Sequence, residues 1–447
     1  MRYAGLPPLW KVKRKMTQQL TRPLSLPNGS VLKNRFCKSA MTEGLADSLN
    51  RATARHETLY RRWGAGGAGL LITGNVMVDR RYLERPGNVV IDGVQSDEHL
   101  DGLKRWAASA REQGADIWMQ LSHAGRQTPK IVSGEPVAPS AVGLDLPGGQ
   151  FAPPRALLAE EIPDIIARFA HAASIGKQAG FTGVQVHGAH GYLLSEFLNP
   201  RSNQRDDEWG GSLENRARLL LNVIDAVRAQ VGSGFSVSVK LNSSDFQKGG
   251  FAPDDALQVA HWLEEKSVDL IEVSGGSYEQ PVMMDMDGME ARFEEEKRAS
   301  TKAREAYFLT YAEEMRKSVK VPLMVTGGFR TMAGMEAAIA SGACDVVGLA
   351  RPLCVEPELV NKLITRTLSK AQSYEKELRI GPGIVGPGSS LDMMRALNGF
   401  AAMAFFYQNI FRLADDLDGK EKMALLPAFI KHQRHEIKAA KTLQGRG

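Results

Sequence analysis

The sequence predicts a (β/α)8 barrel, and two observations carry that prediction. Eight short apolar runs recur along the chain with helix-length amphipathic stretches between them, the pattern of parallel strands buried on both faces. One of those runs, Gly183–His187, ends on two histidines and a tyrosine, His187, His190 and Tyr192, within six residues. In a barrel of this kind the C-terminal ends of the strands carry the chemistry. A doubly wound open sheet is the alternative architecture for the same alternation.

The strands are expected, in order, at Arg35–Met41, Gly69–Thr73, Asp116–Leu121, Gly183–His187, Phe235–Leu241, Asp269–Ser274, Pro322–Thr326 and Asp345–Leu349. Amphipathic helices are expected at Asp97–Gln113, Glu160–Ala179, Leu213–Gln230, Pro253–Lys266 and Thr331–Ser341, where apolar residues recur with the helical period. Two connections are too long to be turns. Arg126 to Ala159 is rich in glycine and proline and is expected to pass over the barrel mouth. Gly275 to Ser300 carries four methionines and the acidic run Glu294–Glu296; both connections follow strand C-termini, where they can shape a pocket.

At 447 residues the chain exceeds the barrel's usual length of ~250, so extensions are expected. The partition is a basic N-terminal arm over 1–23, a barrel over 24–356, and a mostly helical extension over 357–447, with helices at Pro357–Ser369, Ala396–Leu413 and Met423–Thr442. The tail is expected to pack on the barrel or at a homo-oligomer interface. Gly381–Gly388 fits a GxGxxG pattern literally, but two prolines interrupt it and no strand–turn–helix surrounds it, so it reads as a loop.

The formal charge of +5 is mild and the basic residues are interspersed with acids, which argues against a nucleic-acid partner. No apolar run reaches the ~20 residues that span a bilayer. The cysteines Cys37, Cys344 and Cys354 form no CxxC pair and fit neither a disulfide framework nor a metal site; a reducing, cytoplasmic setting follows. The N-terminal cluster of Lys11, Lys13, Arg14 and Lys15 lacks the apolar core of a secretory signal.

Several side chains ask for a chemical explanation. Two neutral imidazoles can donate hydrogen bonds to one carbonyl oxygen, and a phenol two residues on can protonate a neighbouring carbon. Gln120 ends an apolar strand, where an amide is unusual. Lys240 lies inside the apolar strand SVSVKL, where a charge must be paired or functional. The loops after the seventh and eighth strands supply Thr326-Gly327-Gly328 and Gly348-Leu349-Ala350-Arg351. These offer backbone N–H groups and a guanidinium at the barrel's usual phosphate site.

The stretch HGAHGYLLSEFLNPRSNQRDDEWGGSLENRARLL resembles the central signature of the old yellow enzyme family, the FMN-dependent ene-reductases. Further matches at Asn34–Thr42, Gln120–Arg126, Val239–Leu241, Thr326–Gly328 and Gly348–Arg351 come in family order. The resemblance covers Leu24 to Glu356 and is to the single-domain, bacterial-type members. It implies bound FMN, with NAD(P)H as a diffusible hydride donor and a small activated alkene as substrate. By that resemblance Ser39, Ala40, Met41 and Thr42 lie against the flavin, with Thr42 bonding near O4. Gln120 bonds the pyrimidine edge, and Lys240 faces N1 and O2 in place of the arginine many relatives carry. Gly327, Gly328, Ala350 and Arg351 hold the phosphate. His187 and His190 grip the substrate oxygen, in a family where His–Asn is also common, and Tyr192 protonates the α-carbon. Ser122 stands where some relatives carry tryptophan. The rivals are an oxidative flavoprotein of the amine dehydrogenase or demethylase type, a tRNA-modifying flavin barrel, and a non-catalytic flavin-binding scaffold. The missing cysteine cluster argues against the first, the lack of a basic face and of a cysteine beside a matching motif against the second, and the intact His–His–Tyr set against the third.

Overall fold

A computed structural model describes residues 19–144, 146, 149–276, 306 and 308–444. The basic cluster of the N-terminal arm and the methionine-rich connection lie outside the described residues. Eight parallel strands close on themselves: β1 (Phe36–Lys38), β2 (Leu70–Met77), β3 (Asp116–Ser122), β4 (Gly183–Gly188), β5 (Ser236–Asn242), β6 (Leu270–Ser274), β7 (Leu323–Thr326) and β8 (Val346–Leu349). The closing pairs are β8 with β1 through Gly348 opposite Cys37, and β1 with β2 through Lys38 opposite Leu71. Every residue of β2, β4, β5 and β6 is buried, as strands covered by helices outside and packed side chains inside must be.

The surrounding helices are α1 (Ala54–Ala65), α2 (Asp97–Arg111), α3 (Ile162–Gln178), α4 (Leu213–Val231), α5 (Pro253–Glu265), α6 (Leu309–Ser318) and α7 (Met332–Ala340), and the short helices Arg351–Val355 and Leu359–Ile364 follow β8. Their starts are locally specified. Ser96, Ser212 and Thr331 accept from the backbone N–H three residues on, at the N-termini of α2, α4 and α7. Pro253 opens α5, where its missing N–H costs nothing. At the opposite end of the barrel from the strand C-termini, a hairpin of Leu24–Ser25 and Val31–Leu32 turns at Gly29, φ 87°. It buries Leu24, Leu26 and Leu32 with Trp118, Leu270 and Val346, closing the barrel floor.

Two strands differ from expectation. β1 is shorter, because the chain leaves the ladder once the Ser39 N–H has bonded to Leu349 O. β2 runs four residues further than the apolar run suggests. The Gly74-Asn75 pair looks like a turn, yet a register shift between Ile72 and Asn75 carries the strand through it. Gly74 passes so close to Met41 O and the Thr42 Cα that a Cβ would lie within 2.6 Å of both. Helices α1 and α6 were not anticipated; the buried face of α1 is His56, Leu59, Tyr60, Trp63 and Gly64, of which only three are large and apolar, among several charges.

The extension forms α8 (Asp392–Ala414) and α9 (Leu425–Gln444), which pack on the barrel. Arg55 pairs with Asp415 at 2.7 Å and Arg62 with Asp418 at 2.8 Å. Arg85 lies 4.3 Å over the Tyr407 ring, and His432 stacks on that same ring at 4.5 Å. Gly381–Gly388 is loop and a 3-10 turn, Gly383–Val385. Among the described residues no helix is long and apolar enough to cross a membrane.

Candidate active site

Strand register assembles the rim of the barrel. Lys240 on β5 sits opposite His187 on β4 and Glu272 on β6, and Gln120 on β3 opposite Asn75 on β2 and Gln185 on β4. The buried polar side chains there form one connected set. Lys240 Nζ lies 3.0 Å from Glu272 Oε1. Thr326 donates to the same oxygen at 2.7 Å and shares a 2.8 Å hydrogen bond with the Ser39 hydroxyl. Gln185 Nε2 donates to Glu272 Oε2 at 2.9 Å, and Gln120 Nε2 donates to Gln185 Oε1 at 2.8 Å. Of the expected site residues, this set unites Ser39, Gln120 and Lys240; it adds Gln185, Glu272 and Thr326.

The histidine–tyrosine cluster adjoins it. The His187 ring is 5.1 Å from that of His190 and 4.8 Å from that of Tyr192, both edge-on. His187 Nδ1 accepts the Ala189 N–H at 3.3 Å, so its proton sits on Nε2, which is left to donate. His190 takes a left-handed backbone, φ 63°, followed by Gly191 at φ 77°. A non-glycine residue in that region is strained and is held only by its surroundings. Here Asn242 Oδ1 accepts its N–H at 3.2 Å and Gln127 Nε2 donates to its carbonyl at 2.7 Å. The ring meets the Ser274 hydroxyl at 2.7 Å through Nε2, which commits that nitrogen and leaves Nδ1 for a ligand. Burial, and then the Lys240 charge, push both imidazoles well below the ordinary histidine range. Both are therefore neutral; His187 can donate through Nε2, and His190 can donate through Nδ1 when its Nε2 accepts the Ser274 hydroxyl proton. Behind them, Asn242 donates to Asp245 at 2.6 Å, and burial pushes that carboxyl up to about 7.

The loop after β1 follows expectation less closely. Ala40 packs on the floor cluster, and Met41 Sδ lies 3.3 Å from Cys354 Sγ. The Thr42 hydroxyl donates to Glu84 Oε2 at 2.7 Å. Burial raises the Glu84 carboxyl, but the Arg85 guanidinium and the bonds from Thr42, Arg85 and Asn75 outweigh it and hold it below its usual value. With its one proton given to an ionised carboxylate, Thr42 can accept but has nothing to donate to a carbonyl such as O4. The loop after β7 turns through two left-handed glycines, Gly327 and Gly328, with φ 110° and 82°. A Cβ on Gly348 would lie 2.1 Å from Thr326 Oγ1 and 2.4 Å from Ser39 Oγ, so that position admits no side chain. Ala350 and Arg351 follow at the end of β8.

The rim also carries buried polar atoms that have no hydrogen-bond partner among the described residues: Asn75 Oδ1, Ser122 Oγ, His123 Nε2 and Gln127 Oε1. Unpaired buried polar atoms cost stability, and their grouping at the ends of β2 and β3 fits a polar ligand. The tail reaches the same place: Leu443 of α9 packs against the apolar cluster of Met77, Leu83, Val90, Ala124 and Tyr192. No sequence signal marked that contact. Glu272 and Gln185 carried one, a polar residue inside an apolar strand, of the kind that drew attention to Lys240.

An amide and a cation along one edge, with glycine-lined loops beyond them, suit a flat heteroaromatic ring carrying a phosphate, which places the protein among flavin-dependent barrel oxidoreductases. The chain belongs to the NADH:flavin oxidoreductase / NADH oxidase family, whose model matches residues 19–369. It is 38% identical over 354 residues to an NADH-dependent flavin oxidoreductase of Hypocrea jecorina, covering 75% of this chain and 86% of that one. An NADPH dehydrogenase of a Geobacillus species is 32% identical over 370 residues, covering 81% and 100%. Among solved structures, the old yellow enzyme homologue of Zymomonas mobilis matches with a TM-score of 0.66 and 27% identity over 79% of this chain and 94% of that one. Morphinone reductase in complex with tetrahydroNAD matches with a TM-score of 0.62 and 25% identity, over 80% and 93%. The protein is an old yellow enzyme homologue that uses FMN, with NAD(P)H as hydride donor.

Proposed function

We propose that this oxidoreductase is an ene-reductase, reducing the C=C bond of a small α,β-unsaturated carbonyl compound or related activated alkene. The observation that carries the reading is the cluster of two neutral imidazoles with a phenol 4.8 Å from the first. FMN, when bound, supplies a hydride that it has taken from NAD(P)H. Gln120 and Lys240 would hold the pyrimidine edge, with Ser39, Ala40, Met41 and Thr42 against the ring. Gly327, Gly328, Ala350 and Arg351 would hold the phosphate.

The chain's own residues then account for the rest. His187 through Nε2 and His190 through Nδ1 donate to the oxygen of the electron-withdrawing group. This draws charge from the double bond without competing as acids, because both rings are neutral. Tyr192 gives a proton to the α-carbon. The buried rim excludes water from the reacting carbons. The test is anaerobic: the NADPH-reduced yellow protein is mixed with an enone, an enoate and a nitroalkene. Reoxidation with formation of the saturated product supports the reading; reoxidation by oxygen or quinones alone would refute it.

A further inference from the structure

We propose that Glu272, which no motif marked, is the positioning residue of the flavin's pyrimidine edge, acting through Lys240 and through Gln185 on Gln120. The inference rests on the FMN reading and deepens it. An ionised carboxylate only accepts hydrogen bonds, and this fixes the direction of every bond around it. Gln185 must turn its NH2 toward Glu272, 2.9 Å away. Its carbonyl therefore faces Gln120, whose NH2 must turn inward to meet it at 2.8 Å. The Gln120 carbonyl is thereby aimed out of the network as an acceptor, which suits a ring N–H such as flavin N3. Thr326 gives its proton to Glu272, so Ser39 must give its own to Thr326. The same carboxylate lies 3.0 Å from Lys240, and the two side chains are 0% and 6% exposed. Lys240 thus reaches the cofactor as half of an ion pair, and the positive charge available to an anion at N1–C2=O is largely compensated.

Sulfite reads that charge directly. It adds through its sulfur lone pair to N5 of oxidised flavin, and the displaced electron pair is left as negative charge over N1 and C2=O. An adjacent opposite charge shifts such an anion by about one to three pKa units. In the FMN-loaded Glu272→Gln protein, sulfite should therefore bind about tenfold or more tightly, and the flavin midpoint potential should rise. Glu272→Asp keeps the charge and should stay within about threefold of wild type. A second variant tests the amide relay while leaving the ion pair intact. Gln185→Met frees the Gln120 amide to flip, so the preference of the apoprotein for FMN over 3-methyl-FMN should fall by about two- to tenfold, the worth of one hydrogen bond. Sulfite affinity unchanged in a yellow Glu272→Gln protein would overturn the proposal. If that variant holds no flavin, an unchanged preference in Gln185→Met overturns it instead. A wild-type protein that takes up neither flavin overturns the FMN reading itself, and is distinguished by its lack of colour.

Discussion

Lys240→Met should destabilise the protein even before any cofactor is considered. The lysine is one member of a buried pair whose carboxylate partner, Glu272, has a fully buried side chain. Removing one ion of such a pair strands the other, at a cost of ~3–5 kcal/mol. The hydrogen bonds from Thr326 and Gln185 remain to the stranded carboxylate, which argues for the lower part of that range. The penalty carries a pH signature. A stranded carboxyl binds a proton more readily in the folded than in the unfolded chain, so folding stability falls as pH rises. The loss should be near zero around pH ~4 and grow by about 1.4 kcal/mol per pH unit, until the full penalty is reached. Glu272→Gln in the same chain removes the stranded charge and should recover most of the stability at about pH 8. Urea unfolding of the four proteins of this double-mutant cycle, followed by tryptophan fluorescence at about pH 5 and pH 8, measures the coupling. A Lys240→Met protein as stable as wild type at pH 8, or one whose deficit is the same at both pH values, would refute the buried-pair argument.

Tyr192→Phe should leave flavin reduction by NAD(P)H within a few-fold of wild type and slow reoxidation by an enone ~10²–10⁴-fold, each half-reaction being read by stopped flow. A nitroalkene should suffer less, because its nitronate can leave and be protonated in water. The double variant His187→Ala, His190→Ala should weaken binding of a phenol ligand, since both donors to its oxygen are lost, by about 1–3 kcal/mol in a spectral titration. Because both imidazoles are already neutral, with their titration pushed well below the usual range, phenol affinity should be flat from about pH 6 to 8; a break near pH 6.5 would mean that one of them titrates normally. Gly348→Ala should lower barrel stability and FMN retention together, as its Cβ would meet two side-chain hydroxyls at 2.1 and 2.4 Å; urea unfolding and the flavin-to-protein ratio after purification check this.

The alternation of apolar runs and amphipathic stretches was enough to foresee eight strands, because parallel strands buried on both faces leave a signal in composition alone. Lys240 and Gln120 stood out as polar residues in apolar strands. Glu272 in DLIEVS and Gln185 in GVQVHG are of the same kind, yet what they do depends on strand register, which brings Lys240 opposite Glu272 and Gln120 opposite Gln185. Register is set by closure of the whole barrel and is invisible in any one segment. The hydroxyl of Thr42 is a similar case. Its partner Glu84 is 42 residues away, so no local pattern could show that its proton is already committed.

The tail extends that reasoning. Arg85 contacts Glu84 at 3.1 Å, stacks over Tyr407 of α8, and approaches Glu436 of α9 at 3.9 Å. Glu84 in turn accepts from Thr42. His435 meets Gly44 O of the same loop at 3.3 Å, and on the other side Leu443 packs against the cluster that contains Tyr192. The helical hairpin therefore meets the barrel rim at two points, once behind the loop after β1 and once behind Tyr192. A partition of the chain at 356 separates these contacts in sequence but not in space. The neighbours of the rim are drawn from the tail as well as from the barrel, through Arg85 between Glu84 and Tyr407 and through Leu443 beside Tyr192.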